Sequence, residues 1–230
     1  MAHFVLVHGA SHGGWCWRHV VPRLEAMGHE AVAVDLPGQG ESDAPRGDVS
    51  LAEYRDAVLA ATRPGSVLVG HSLGGLSITL AGAARPGDVS ALVYVAALVP
   101  EPGKSFADFR KSAISPVVDR VTRRDGALSV PIGETAADIF YNHCSAEDRA
   151  FALARISPQP ISVMTEVMDF TPAPLPQHYV RCTDDLVVLP DYQRRISQDW
   201  PAGRVHELAT GHSPFFSDPD GLAAILGAMA

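Results

Sequence analysis

One serine of this sequence stands where a serine can become a nucleophile. Residues 70–74 read GHSLG, which fits the pattern G-x-S-x-G with Ser72 at its centre. In such an elbow a strand enters a strained turn and a helix leaves it, so the hydroxyl is exposed beside a helix N-terminus. Residues 66–69 predict that strand, and the segment from Leu73 predicts that helix. The alternative is a glycine-rich turn in which the serine only caps the helix.

A serine hydroxyl needs a general base, and the base needs a carboxylate that holds it in one tautomer. His212 is the candidate base, because it follows the last predicted strand and precedes the last predicted helix. His206 lies inside that strand, where we expect a packing or surface role. The carboxylate should follow the preceding strand, where Asp184 and Asp185 stand side by side. Spacing admits both, and the unused one would cap a turn.

The negative charge that develops in acyl transfer needs two N–H donors. In this arrangement one donor is the residue after the nucleophile, here Leu73, and the other lies in the loop after the first strand, here Ala10. His8 opens that loop, and we interpret it as a residue that ties loops together. Together, the serine, the histidine, one of the two aspartates and the two N–H donors predict acyl transfer through a serine ester.

The elements that must position these residues alternate along the chain. Short apolar runs predict strands at residues 4–7, 31–34, 66–69, 89–95, 178–182 and 204–208, and helical spacing predicts helices at residues 15–27, 51–62, 73–85, 190–200 and 221–229. Strands without polar alternation between helices predict an α/β fold with a mostly parallel sheet and helices on both faces. Ser50 and Glu53 predict a capping box before the second helix.

The alternation is interrupted between residues 100 and 177. This segment is rich in Pro, Phe and Met, and its patterns are mostly helical, without a convincing strand. We predict a single domain over residues 1–230, with a core of about residues 1–99 and 178–230 and a small helical cap of about residues 100–177. Cap residues that could line a pocket, or only pack the cap onto the sheet, are Phe106, Phe109, Phe140, Phe151, Phe170, Met164 and Met168.

Net charge, apolar runs and the spacing of cysteines and histidines argue against several functions. The 230 residues carry a net charge of −8, which argues against nucleic acid and against anionic membrane surfaces. No apolar run approaches the roughly 18 residues that span a bilayer, and no secretory signal is visible, so we expect a cytoplasmic protein. Cys16, Cys144 and Cys182 lack the spacing of a zinc site or a disulfide framework, and we expect buried thiols. The histidines show no metal-binding spacing, so we expect no metal.

Several segments add a resemblance to a known family. They are residues 8–17 (HGASHGGWCW), 28–29 (GH), 33–36 (AVDL), 141–148 (YNHCSAED), 158–160 (PQP), 182–185 (CTDD) and 189–190 (LP). Together with the elbow they resemble the plant methylesterase and hydroxynitrile lyase branch of the α/β-hydrolases, a pattern that bacterial esterases share. The family places its aspartate third after the cysteine of a C-T-x-D stretch, so the resemblance favours Asp185 as the acid.

The resemblance implies an α/β-hydrolase fold and a cofactor-free site of Ser72, His212 and Asp185 under the cap, with an apolar pocket for a small ester and often a homodimer. Two positions depart from the lyases of this branch, which carry Thr where Gly9 stands and Lys where Ser213 stands. Those groups handle the cyanohydrin, so their absence favours ester cleavage. The alternatives are a lyase on the same triad and a ligand-binding homologue without turnover. Haloalkane dehalogenation would require an aspartate nucleophile.

Overall fold

The first part of the chain alternates strands and helices, as its apolar runs predict. The computed structural model describes residues 1–44, 49–115, 122–124, 127–129 and 134–229. The first elements are β1 (His3–Val7), α1 (Val21–Ala26), β2 (Glu30–Val34), α2 (Leu51–Ala61), β3 (Ser66–His71), α3 (Gly74–Ala84) and β4 (Val89–Val95). The predicted first helix is divided into a 3₁₀ turn at Gly14–Trp17 and α1. The predicted capping box of Ser50 and Glu53 is present.

The inserted cap contains both helices and short strands. Its elements are α4 (Phe106–Ala113), β5 (Thr122–Arg124), β6 (Ala127–Ser129), α5 (Glu134–Phe140), α6 (Ala146–Leu153), β7 (Gln159–Pro160) and α7 (Ser162–Thr165). The expectation of a cap without strands was wrong, because β5, β6 and β7 pair as a small antiparallel sheet. Strands of two or three residues are too short for a sequence period to reveal them.

After the cap the core alternation resumes and completes one sheet. Its elements are β8 (Gln177–Cys182), α8 (Pro190–Ser197), β9 (Val205–Leu208), α9 (Pro214–Ser217) and α10 (Pro219–Gly227). The strand order is β2-β1-β3-β4-β8-β9, and each of these pairings is parallel. The predicted parallel α/β sheet is therefore confirmed, with β4 from before the cap paired to β8 from after it.

The centre of the sheet is buried, which explains why its strands lack polar alternation. Every residue of β3 is buried, and so are most residues of α3, which packs against it. Cys16 and Cys182 are buried as expected, whereas Cys144 is only partly buried, so that expectation was wrong for one thiol. Within the described ranges, no helix has the length and apolar character needed to cross a bilayer.

The Asp148 carboxylate of the cap helix α6 binds residues of the core that lie just before α1. Asp148 accepts hydrogen bonds from Arg18 at 2.8 Å and from the Ser145 hydroxyl at 2.7 Å, and His19 Nε2 lies 2.9 Å from it. The Arg18 guanidinium also lies 3.8 Å above the Phe151 ring. Burial alone would raise the pKa of Asp148, but the hydrogen bonds from His19, Ser145 and Arg18 together lower it. The carboxylate is therefore charged at neutral pH.

Substituting Asp148→Asn should lower the free energy of unfolding at pH 7 by about 1–2 kcal/mol, because it removes the charge that these donors bind. A carboxyl with a lowered pKa stabilises the fold above its ordinary pKa of about 4 and loses that contribution as the pH falls. Urea unfolding should thus show a large difference from wild type at pH 7 and a small one at pH 3.

The matched control is Asp220→Asn, since this exposed aspartate also binds an arginine, Arg23. It should leave stability almost unchanged at both pH values. Equal effects of the two substitutions, or a difference for Asp148→Asn that does not depend on pH, would contradict the assignment.

Candidate active site

Ser72 lies in the tight turn between β3 and α3 and has a φ of +52°. This left-handed conformation is rare for residues other than glycine. The turn brings neighbouring strands so close that a Cβ at Gly74 would lie 2.6 Å from the His8 carbonyl oxygen, and one at Gly75 would lie 2.1 Å from that of Leu98. The strand–turn–helix context that the GHSLG segment predicts is therefore present, with glycines where a side chain would collide.

His212 and Asp185 form a buried pair beside this turn. His212 follows β9 and Asp185 follows β8, and His212 Nδ1 lies 2.9 Å from Asp185 Oδ2. Only 1% of His212 and 2% of Asp185 is exposed. The carboxylate oxygen accepts the hydrogen bond, so Nδ1 carries the proton. Nε2 of the neutral ring is then unprotonated and can accept a proton or a hydrogen bond.

Of the two adjacent aspartates, only Asp185 reaches the histidine. Its Oδ1 accepts the main-chain N–H groups of Val187 at 2.7 Å and Val188 at 3.0 Å, which turns the side chain inward. Asp184 is about half exposed and lies 3.7 Å from His143 at the surface. The choice that spacing left open is thus decided by the turn at residues 185–188.

Gln193 on α8 is a partner of the pair that the sequence did not indicate. It is fully buried, and its Nε2 donates to Asp185 Oδ2 at 2.9 Å and to the Val188 carbonyl at 2.7 Å, while its Oε1 accepts the Cys182 N–H at 2.9 Å. A glutamine in a polar helix gives no sequence signal of such a role. What distinguishes Gln193 is that its side chain is buried, and this burial is determined by the fold.

His71, next to the nucleophile candidate, supports His212 from the other side. Its Nε2 donates to the His212 carbonyl at 2.7 Å, and the two rings lie 4.5 Å apart. Burial, followed by the neighbouring histidines, lowers the pKa of His71 well below its ordinary value. The ring is therefore neutral and acts as a fixed donor. His206, predicted to pack or lie at the surface, stacks on His178 at 6.1 Å.

Ser72 and His212 line one mostly apolar pocket between the core and the cap. The space between its walls is about 680 Å³ when the open solvent at its mouth is counted. Three of the seven cap residues suggested as lining do line it, namely Phe106, Phe140 and Met164. The remaining lining residues are Ala10, Ser11, His12, His71, Leu73, Leu98, Arg110, Ile114, Gln159 and Val187. Phe109, Phe151, Phe170 and Met168 are not among its lining residues, so for them the packing interpretation stands.

The pocket also contains the two main-chain amides that the sequence singled out. Ala10 and Leu73 both line it with Ser72. In the part of the chain that the structure describes, neither N–H donates to another main-chain group or side chain. No group of three or more metal-ligating side chains occurs among those residues. The geometry thus offers a hydroxyl, a histidine paired to a carboxylate, and two unengaged N–H donors around one apolar space.

The chain is similar to known proteins over nearly its whole length. Residues 4–225 match the model of the alpha/beta hydrolase family. Methylesterase 18 of Arabidopsis thaliana is 33% identical in an alignment that covers 97% of this chain and 95% of that protein. Pheophorbidase of Raphanus sativus is 30% identical in an alignment that covers 98% of this chain and 93% of that protein.

Solved structures are similar over the whole chain. A pyrethroid hydrolase from Sphingobium faniae JZ-2 has a TM-score of 0.84 and 28% identity, with 99% of this chain and 96% of that chain covered. A methylesterase from Arabidopsis has a TM-score of 0.83 and 27% identity, with 98% and 97% covered. The similarity therefore includes the cap as well as the sheet.

The close contacts at the elbow predict that Gly75→Ala lowers the free energy of unfolding by about 3 kcal/mol, because its Cβ would collide with a main-chain carbonyl. Gly87→Ala is the matched control, since a Cβ there meets nothing within 4 Å. It should leave stability unchanged or slightly raised. Urea unfolding of both variants measures the difference, and a Gly75→Ala protein as stable as wild type would refute the packing argument.

Proposed function

The chain belongs to the alpha/beta hydrolase family and is a carboxylic ester hydrolase, and we propose that it cleaves a small apolar ester by two-step acyl transfer on Ser72. The observation that carries this proposal is the buried His212–Asp185 pair, whose histidine lines the same pocket as the strained serine. Nucleophile, acid and base follow the chain order Ser, Asp, His that this fold uses.

In the first step His212 Nε2 takes the proton of the Ser72 hydroxyl as its oxygen attacks the ester carbonyl carbon. The carbonyl π electrons move to the oxygen, which the N–H groups of Ala10 and Leu73 stabilise as an oxyanion. When the carbonyl re-forms, the bond to the alcohol oxygen breaks and His212 gives its proton to the leaving alcohol. The product of this step is an acyl ester of Ser72.

In the second step water takes the place of the alcohol. His212 removes a proton from the water, whose oxygen attacks the acyl carbon, and then protonates Ser72 as the carboxylic acid leaves. Asp185 remains charged throughout and stabilises the imidazolium that forms in each step. The buried donors around Asp185 keep it oriented toward Nδ1.

The pocket supports a small apolar substrate. Phe106, Phe140 and Met164 of the cap line the cavity together with Ser72, and this mostly apolar wall suits the apolar part of an ester. Relatives named methylesterases support a methyl ester among the candidates. The pocket wall would then bind the acyl part, and the small alcohol would leave through the mouth.

Two positions favour the ester over the cyanohydrin as substrate. A Cβ at Gly9 would lie 2.8 Å from Ser72 Cβ, so a threonine there would require the elbow to shift. The side chain of Ser213 is buried and donates to the Phe140 carbonyl at 2.7 Å, so this position offers no ammonium group to the pocket. The two groups that lyases of this branch use on the cyanohydrin therefore have no counterpart here.

The first test is hydrolysis of p-nitrophenyl and methyl esters of graded acyl length by wild type and by Ser72→Ala. Loss of the nucleophile should lower turnover by about 10⁶-fold, because the three groups act as a unit. Ser77→Ala is the matched control, since this buried serine lies on α3, the helix that follows Ser72, but does not line the pocket. It should retain wild-type turnover.

Equal inactivity of wild type and Ser72→Ala over the whole panel would contradict the ester hydrolase proposal. Release of an aldehyde from cyanohydrins would then indicate the lyase. Tight binding of an ester without product would instead indicate a ligand-binding homologue.

A second prediction separates the two aspartates. Asp185→Asn should lower kcat by about 10⁴-fold, because an amide no longer holds His212 in the reactive tautomer. Asp184→Asn should stay near wild type, because its carboxylate lies at the surface. Steady-state kinetics with a p-nitrophenyl ester, corrected by active-site titration, measures both, and the opposite order would overturn the assignment.

A further inference from the structure

The Ala10 N–H belongs to a peptide group that is held by the side chain of His8. The Gly9 carbonyl, the other end of that peptide group, accepts a hydrogen bond from His8 Nδ1 at 2.8 Å. His8 Nε2 accepts the Leu36 N–H at 3.1 Å, so both ring nitrogens are engaged and the ring is neutral. A carbonyl that accepts a hydrogen bond makes the N–H of the same peptide group a stronger donor.

The next peptide group, between Ala10 and Ser11, is held at both ends. Its carbonyl accepts from His12 Nδ1 at 2.8 Å, and its N–H donates to Gln159 Oε1 at 3.0 Å. Tyr141 donates to His12 Nε2 at 2.8 Å, which completes the neutral tautomer of that ring. Burial lowers the pKa of His12 to about 3, so this arrangement persists over the working pH range of most enzymes.

The loop would not keep this shape unaided, because Ser11 has a φ of +64°. A left-handed residue other than glycine costs of order 1 kcal/mol and persists only where its surroundings hold it. Two of the contacts that hold it come from the cap: Gln159 binds the Ser11 N–H, and the Ser157 N–H donates to the Ser11 carbonyl at 3.0 Å. The direction of the Ala10 N–H therefore depends on the cap as well as on the core.

Gln159 is itself fixed in orientation. Only 2% of it is exposed, and its Nε2 donates to the Tyr54 hydroxyl on α2 at 3.0 Å. The Ser11 N–H can only donate, so Oε1 must face it and Nε2 must face Tyr54. The amide thus connects the core helix α2, the cap strand β7 and the loop of Ala10.

We propose that Gln159 is a positioning residue that sets the oxyanion donor of Ala10 and so makes turnover depend on the docked cap. This inference rests on the proposed function, in which the Ala10 N–H binds the oxyanion. Gln159 acts on a donor used most strongly in the transition state, so its loss should lower kcat more than it raises KM.

The experiment compares Gln159→Met with Gln39→Met. Met keeps the length of the side chain and removes its hydrogen bonds. Gln39 is the matched control, because it is also fully buried and also binds the cap, donating to the Pro158 carbonyl at 2.8 Å, but it does not bind the loop of Ala10. Each variant loses two hydrogen bonds between cap and core, since Gln159 binds Ser11 and Tyr54, and Gln39 binds the Pro158 carbonyl and the Ser157 hydroxyl. Only Gln159→Met loses the direct hydrogen bond to the peptide group of Ala10 and Ser11.

We expect Gln159→Met to lower kcat by about 10- to 100-fold with little change in KM. It should also weaken inhibition by a trifluoromethyl ketone by a similar factor. The Ser72 oxygen attacks the carbonyl carbon of such a ketone, and the product is a hemiketal oxyanion. Gln39→Met should stay close to wild type in both measurements. A reversibly unfolded fraction weakens the apparent inhibition constant only in proportion to the folded fraction, so a half-folded variant would show a change of only about two-fold.

Equal effects of the two substitutions on kcat and on ketone affinity would overturn the inference, and so would a change confined to KM, which would indicate contact with substrate. Tyr54→Phe provides a second, milder variant if Gln159→Met fails to fold. It removes only the hydroxyl that orients Gln159, and unchanged ketone affinity in it would also count against the inference. Wild type without Ser72-dependent turnover would overturn the proposed function as well, which distinguishes the two failures.

Discussion

Ser72 adopts a left-handed backbone conformation that costs a residue other than glycine of order 1 kcal/mol, so the structure around it must compensate. The compensation comes from close packing. Gly74 lies against the His8 carbonyl at the end of β1, and Gly75 lies against the Leu98 carbonyl after β4. The same contacts bring the loops of three neighbouring strands to one point, where the pocket forms. The position of the hydroxyl and the place of the pocket therefore follow from one constraint.

The second constraint is a buried carboxylate that needs hydrogen-bond donors. Asp185 is almost fully buried, and burying an unpaired charge would be very costly. Two main-chain N–H groups, the amide of Gln193 and the ring of His212 supply the missing hydrogen bonds. Because these donors leave the carboxylate few other orientations, they also orient His212. On the proposed function, stability and chemistry thus depend on the same hydrogen bonds.

The cap is attached to the core by polar contacts as well as by apolar packing. Asp148 binds Arg18 at the edge of the cap, and Gln159 binds Ser11 and Tyr54 beside the pocket. We expect the first contact to make stability depend on pH. The second lies on the loop that presents the Ala10 N–H, so on our proposal it makes the cap part of the oxyanion site rather than a cover alone.

Patterns within the sequence were enough to predict the alternating elements, the parallel sheet, the elbow at Ser72 and the placement of His212 after the last strand. Apolar period, glycine spacing and chain order carry this information within short segments. The folded structure was needed to show that Asp185, which the family resemblance favoured over Asp184, reaches His212. It was also needed to reveal Gln193 and Gln159 and to pair the short strands of the cap. The physical reason is distance along the chain, since Gln159 and Ser11 are 148 residues apart and no local pattern records a contact that folding alone creates.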